Sequence, residues 1–142
     1  MDPREFQRLA VRLAGGPTPA ERRTSISRCY YAAFNVAAEH LRSLKFPVSK
    51  GGAAHGEVRL CLVNAANREL IEAANILQEL HTRRIRADYQ LDRSDPETAS
   101  TASSSVATAA KVIQLMDATF SGLNRPQIQS AIAFWRRANG YP

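Results

Sequence analysis

The chain has 142 residues, 44% of them hydrophobic, with a mean hydropathy of −0.31. That suits one globular domain spanning residues 1–142 around one core, and it excludes a disordered chain. No apolar run approaches the roughly 20 residues of a membrane helix, and Met1-Asp2-Pro3-Arg4 opens no secretory signal. A cytoplasmic protein without membrane contact is therefore expected.

The net charge is +6 and the isoelectric point about 9.9. The only lysines are Lys45, Lys50 and Lys111, so almost all the positive charge is arginine. Arginine's planar fork grips phosphate with two hydrogen bonds. Such a balance points to an anionic partner, RNA or a nucleotide among them, although base composition of a genome produces the same bias.

Apolar residues recur at helical spacing along the chain, with no strand pattern and no repeat. A first helix is predicted from Pro3 to Ala14, with Phe6, Leu9, Ala10 and Leu13 on one face and Gly15-Gly16 as its stop. Thr18-Pro19-Ala20-Glu21 reads as a capping box with proline at the first helical position. It starts a long second helix, Pro19 to about Lys45, which buries Ile26, Tyr30, Ala33, Ala37, Leu41 and Leu44. Pro47, Ser49 and Gly51-Gly52 make a loop of residues 46–54.

A third helix is predicted from His55 to about Asn64, then a break near Asn67, then a fourth helix from Arg68 to Tyr89. Ser94-Asp95-Pro96-Glu97 reads as the start of a fifth helix reaching Phe120 and burying Val106, Ala110, Ile113, Met116 and Phe120. Its Ser/Thr/Ala-rich first half, Ala99 to Ser105, is expected to be exposed or frayed. Gly122 stops it. A short sixth helix runs from Pro126 to about Ala138 with Ile128, Ile132 and Trp135 inward. The expected fold is all-α: an up-and-down bundle of about five main helices plus a short C-terminal helix.

Cys29 and Cys61 fall inside apolar helical patterns and read as buried, reduced thiols. No ligand cluster has zinc-like spacing, so neither a metal nor a cofactor is expected. The loop before His55 matches no phosphate-binding loop, and Thr24, Ser25 and Ser27 sit in no nucleophile elbow.

Leu77, His81, Arg84, Asp88 and Leu91 step by fours and threes and share one face of the fourth helix. A core does not hold an unpaired arginine and aspartate, so this face either enters a cleft or interface, or carries a solvated Arg84–Asp88 pair. Arg83, Arg84 and Arg86 precede Asp88 and Tyr89 as a basic cluster. It can hold a phosphodiester, or complement the negative end of the helix dipole. His81 and His55 are the acid–base candidates, whereas His40 reads as a surface residue. Tyr30, Tyr31 and Phe34 are assigned to packing, and Arg28 and Tyr31, three apart, can share a face with a site.

Three segments carry a family resemblance. Ser25-Ile26-Ser27-Arg28-Cys29-Tyr30-Tyr31-Ala32-Ala33-Phe34 resembles the S-x-x-R-x-Y-Y-A-x-F segment of bacterial and archaeal HEPN proteins. His55-Gly56 after the Gly/Ser loop is similar to the His-Gly that opens the next helix in that group, and Arg84-Ile85-Arg86-Ala87-Asp88-Tyr89 looks like its R-x-x-A-D-Y element. Together they span residues 20–120. The resemblance implies a helical bundle, often homodimeric, with the arginine-bearing helices of two subunits facing each other across a cleft.

Many HEPN members cleave RNA without metal, using Arg followed four to six residues later by His. Others serve as binding modules in toxin–antitoxin or defence systems, frequently beside a nucleotidyltransferase. Here no histidine follows in that window, and Asp88 stands five residues after Arg83. The reading that leads is a homodimeric HEPN-type nucleotide- or RNA-associated binding module. Arg83, Arg84, Arg86, Tyr89, His81, His55 and Arg28 are its candidate binding residues. The alternatives are a metal-independent ribonuclease toxin using Arg84, Asp88 and a borrowed histidine, and a purely structural helical adaptor.

Overall fold

A computed structural model describes residues 1–142. It is all-helical: α1 (Arg4–Ala14), α2 (Pro19–Ser43), α3 (Ala53–Val63), α4 (Arg68–Tyr89), α5 (Ala99–Phe120) and α6 (Arg125–Ala138), with a 3-10 turn at Asp95–Glu97. Helices adjacent in sequence touch one another, and the connections are short, so the chain folds back on itself as a bundle. α2 lies at the centre and packs against α1, α3, α4 and α5, while α6 covers α3 and the end of α5.

The start of α2 forms as its residues dictate. The Glu21 amide donates to Thr18 Oγ1 at 3.3 Å and the Thr18 amide donates to Glu21 Oε2 at 3.0 Å, closing the capping box. Glycine is required just before it, because a Cβ on Gly16 would sit 2.7 Å from the Glu21 side chain. The predicted stripe Ile26, Tyr30, Ala33, Ala37, Leu41 and Leu44 is buried throughout. The alanines at 32, 33, 37 and 38 are wholly buried, which lets neighbouring helices approach closely.

Several boundaries differ from expectation. α3 begins at Ala53 rather than His55. Ser94–Glu97 does not open α5 but forms the separate 3-10 turn, and Thr98 caps α5 by accepting from the Thr101 amide at 3.1 Å. Residues 99–105 are helical, and two of them are fully buried: Ala102 packs with Ile26, and Ser105 hydrogen-bonds the Thr101 carbonyl at 2.9 Å. Ala110 is exposed, and Ala109 takes the core position. Leu91 lies past the end of α4 and is 72% exposed, so it is not part of that helix's face.

Both cysteines are buried and unpaired. Burial pushes the Cys29 thiol up to about 12, which leaves it unreactive as a nucleophile. No helix is long and apolar enough to cross a membrane.

Candidate functional site

α2 places Tyr30, Tyr31 and Phe34 on consecutive turns facing α3 and α4. α3 begins with His55 in its first turn and sets Arg59 one turn later on the same side. α4 contributes His81. These groups converge on one cleft of about 360 Å³, whose lining includes Tyr30, Gly52, His55, Gly56, Arg59 and His81. A Cβ at Gly52 or Gly56 would meet nothing within 4 Å, so these glycines leave the mouth open and answer to no steric demand.

The histidine rings lie with centroids 5.4 Å apart, tilted by 29°, and Tyr30 packs 4.8 Å from His81. Phe34 backs His55 at 4.6 Å. Tyr30 Oη stands 2.6 Å from His55 Nδ1. Tyr30 is 1% exposed and burial raises its phenol above the ordinary range, so the hydroxyl keeps its proton. His55 Nδ1 is the hydrogen-bond partner it has for that proton. His55 Nδ1 is thereby the acceptor and Nε2 carries the hydrogen.

Both imidazoles are held below their ordinary 6.5. For His55 the causes are burial and then the Arg84 charge; for His81 they are burial, then His55, then Arg84. Both are neutral at pH 7. A histidine with a depressed folded-state value binds its proton less readily when folded than when unfolded, so stability is full above about 6.5 and falls as the pH drops below it. Thermal melts from pH 7.5 to 5 are expected to show a falling midpoint, and His81→Gln is expected to flatten that slope. An equal slope in both proteins would show that other groups control the acid limb.

Arg84 borders this cleft but is already engaged. Its Nε donates to Asp88 Oδ2 at 3.0 Å, its Nη2 donates to Tyr89 Oη at 3.3 Å, and its guanidinium lies 5.1 Å over Tyr31. Asp88 Oδ2 also accepts from Ser27 Oγ at 3.0 Å. The carboxylate named with Arg84 in the ribonuclease alternative therefore has one oxygen shared between Arg84 and Ser27, and it acts as an anchor for Arg84. Arg28 joins from α2, stacked between Phe6 at 5.2 Å and Tyr31 at 4.6 Å. The residues of the three sequence segments thus form one continuous wall: Arg28, Tyr31, Arg84, Asp88 and Tyr89 beside the Tyr30–His55–His81 cluster.

The basic cluster is divided by the helix. Arg84 faces this wall, whereas Arg83 turns to α5, where it donates to Ser105 Oγ at 3.1 Å and pairs with Glu79. Arg86 lines the same α5 side. His40 is not a free surface residue. It is half-buried, lies 2.7 Å from Asp117 Oδ1 and stacks on Phe120 at 4.6 Å.

Arg59 was not singled out from the sequence. It lines the cleft half-buried and without an ion-pair partner, and its signal was the four-residue step from His55. No group of three or more His, Cys, Asp or Glu side chains converges anywhere as a metal-binding set. No family model, no curated protein and no solved structure matches this chain.

Proposed function

We propose that this chain is a HEPN-type binding module that takes a phosphate-bearing RNA segment or nucleotide into the cleft between α3 and α4. In this reading it works as a homodimer in the cytoplasm, beside a partner such as a nucleotidyltransferase in a toxin–antitoxin or defence system. The observation that carries it is the convergence of His55, Arg59 and His81 over Tyr30 in one open cleft. Arg59 offers an unpaired guanidinium, and two neutral imidazoles offer N–H donors with no charge to repel it. The motif order described above supports the family reading.

A charge-assisted hydrogen bond contributes about 1.5–3 kcal/mol, so Arg59→Ala is expected to weaken oligoribonucleotide binding roughly tenfold or more. Fluorescence anisotropy with a labelled single strand measures this. Binding that is indifferent to Arg59→Ala and to His81→Ala alike would remove the cleft from consideration.

The ribonuclease reading is favoured by a separate observation, the two imidazoles 5.4 Å apart. One neutral ring can take the proton of a ribose 2′-hydroxyl as that oxygen attacks phosphorus. The other, when protonated, can give a proton to the departing 5′-oxygen, leaving a 2′,3′-cyclic phosphate. Arg59 would offset the charge gained by the phosphoryl oxygens. The pair must share one proton, and both rings are neutral at pH 7, so such cleavage would peak below pH 6.5. Incubation with RNA in EDTA across pH 5–8 decides between the readings. Cleavage lost in both His55→Ala and His81→Ala makes this a nuclease, and binding without cleavage at every pH leaves the module reading.

A further inference from the structure

A second groove lies on the other side of α4. Residues step about 100° round a helix, so Arg83 and Arg86 point away from the His81–Arg84 face and toward α5. The groove has a volume of about 280 Å³, and its lining includes Arg83, Arg86, Asp95, Ser100, Thr101 and Ser104. We propose that it is a second anion site, which holds one phosphate group between the two guanidinium groups and the three hydroxyls.

The case rests on the side chains present and on which of them are already occupied. Arg83 is held in place by Glu79, by Ser105 Oγ at 3.1 Å and by Ser104 Oγ at 3.5 Å. Arg86 makes no ion pair or side-chain hydrogen bond, so its fork is free for a ligand. The Ser100 hydroxyl is exposed and free as well. The end of α5 is not itself the donor set, because Thr98 already takes the Thr101 amide at 3.1 Å.

Asp95 is the one acidic lining group. Its carboxylate accepts from Arg93 Nε at 2.8 Å, which offsets its charge without removing it. The groove therefore attracts an anion and is tuned down by Asp95. Its volume sits just under the roughly 300–1,000 Å³ of small-molecule sites, so it suits a single phosphate group rather than a whole cofactor. The phosphate can belong to an RNA backbone or be free in solution. None of these residues lines the α3–α4 cleft, so this site does not depend on the reading given above.

The test uses the full chain, a fluorescein-labelled single-stranded oligoribonucleotide and inorganic phosphate, at constant ionic strength. Arg86→Ala removes a side chain that holds nothing else, so folding is not at stake. It is expected to weaken the strand at least tenfold, while Arg12→Ala, which removes the same charge from an exposed site on α1, changes it less than twofold. Asp95→Asn is expected to tighten it at least twofold. Strand binding that phosphate does not displace at matched ionic strength assigns the site to a phosphodiester. Displacement by phosphate, or binding of phosphate alone lost in Arg86→Ala, assigns it to free phosphate. Equal effects of Arg86→Ala and Arg12→Ala, or no binding of either probe, overturn the proposal. Weakening by Arg59→Ala without weakening by Arg86→Ala also overturns it while leaving the cleft; the reverse keeps the groove and discards the cleft.

Discussion

Arg136→Ala is expected to lower the melting midpoint by about 10–20 °C, the drop that about 3–5 kcal/mol produces in a domain of this size. Arg136 and Glu57 are buried to 2% and 3% side-chain exposure, with Arg136 Nη1 3.0 Å from Glu57 Oε1. The same guanidinium reaches Cys61 Sγ at 3.5 Å and donates twice to the Pro142 main-chain oxygen, at 3.1 and 3.0 Å. It thereby ties α6 and the residues after it to α3. Burial works to raise the Glu57 carboxyl, but the Ser49 amide and Arg136 outweigh it and hold the group below its ordinary value.

Removing Arg136 leaves a carboxylate in the interior with only Ser49 to answer it, and that orphan is what makes the loss large. The total stability of a domain is about 5–15 kcal/mol, so roughly a fifth or more is at stake. Removing both charges together, in Arg136→Met with Glu57→Leu, is expected to recover most of it, since no charge is then stranded. A double variant as unstable as the single one would mean that the pair itself, rather than the orphan, sets the cost. Differential scanning calorimetry of the three proteins settles this. Acid should reproduce the effect, because a carboxylate held below its ordinary value loses its contribution as the pH falls through the folded-state value.

The helices were legible in the sequence where their signals are local. Thr18 and Glu21 are three residues apart and need no third partner, so the start of α2 is written in four positions. Ser94–Glu97 reads as the start of α5 on the same local grounds, and that reading fails. Pro96 suits the first turn of an α-helix and of a 3-10 turn equally, and the true cap, Thr98, looked like any other member of a Ser/Thr-rich run. Serine and threonine compete for backbone hydrogen bonds, which predicts that this run is exposed or frayed. In the fold Ser105 satisfies its hydroxyl on the Thr101 carbonyl and also receives Arg83, so burial costs it little.

The site was legible only in its parts. His81, Arg84 and Asp88 share a helix face, and periodicity states that much. That His55 meets His81, and that buried Tyr30 supplies its hydroxyl to His55, depends on how α3 lies across α2 and α4. No spacing encodes that. The basic cluster shows the converse: three arginines within four positions read as one patch, and the helix turns them to two grooves. Arg22-Arg23 and Arg136-Arg137 are each two arginines in a row, with nothing local to tell the members apart. Packing buries one member of each, Arg23 to 8% and Arg136 to 2% exposure, and only the tertiary structure selects which.

Arg23→Ala is expected to be the other severe substitution, at about 3–5 kcal/mol, and the one that couples stability to the candidate site. α4 ends at Tyr89, and its last carbonyls have no partners within the helix. Arg23, reaching from α2, supplies them. Its Nη1 donates to the Ala87 oxygen at 2.9 Å, to Gln90 at 3.3 Å and to Arg86 at 3.4 Å, and its Nη2 donates to the Arg93 oxygen. Glu97 Oε1 balances the charge at 2.8 Å. One guanidinium thus caps α4 and holds the 90–97 segment against α2.

Lysine carries the charge but a single ammonium cannot span these acceptors, so Arg23→Lys is expected to recover less than half of the loss. Asp88 and Tyr89 sit in the turn that Arg23 caps, and Arg84 is held through both of them. Loosening this turn should free Arg84 before the bundle melts. Amide hydrogen exchange of Arg23→Lys is therefore expected to rise at residues 86–93 while α1 and α3 stay protected. Uniform exchange across all helices would mean that Arg23 supports the bundle as a whole and has no particular hold on the wall formed by Arg84, Asp88 and Tyr89.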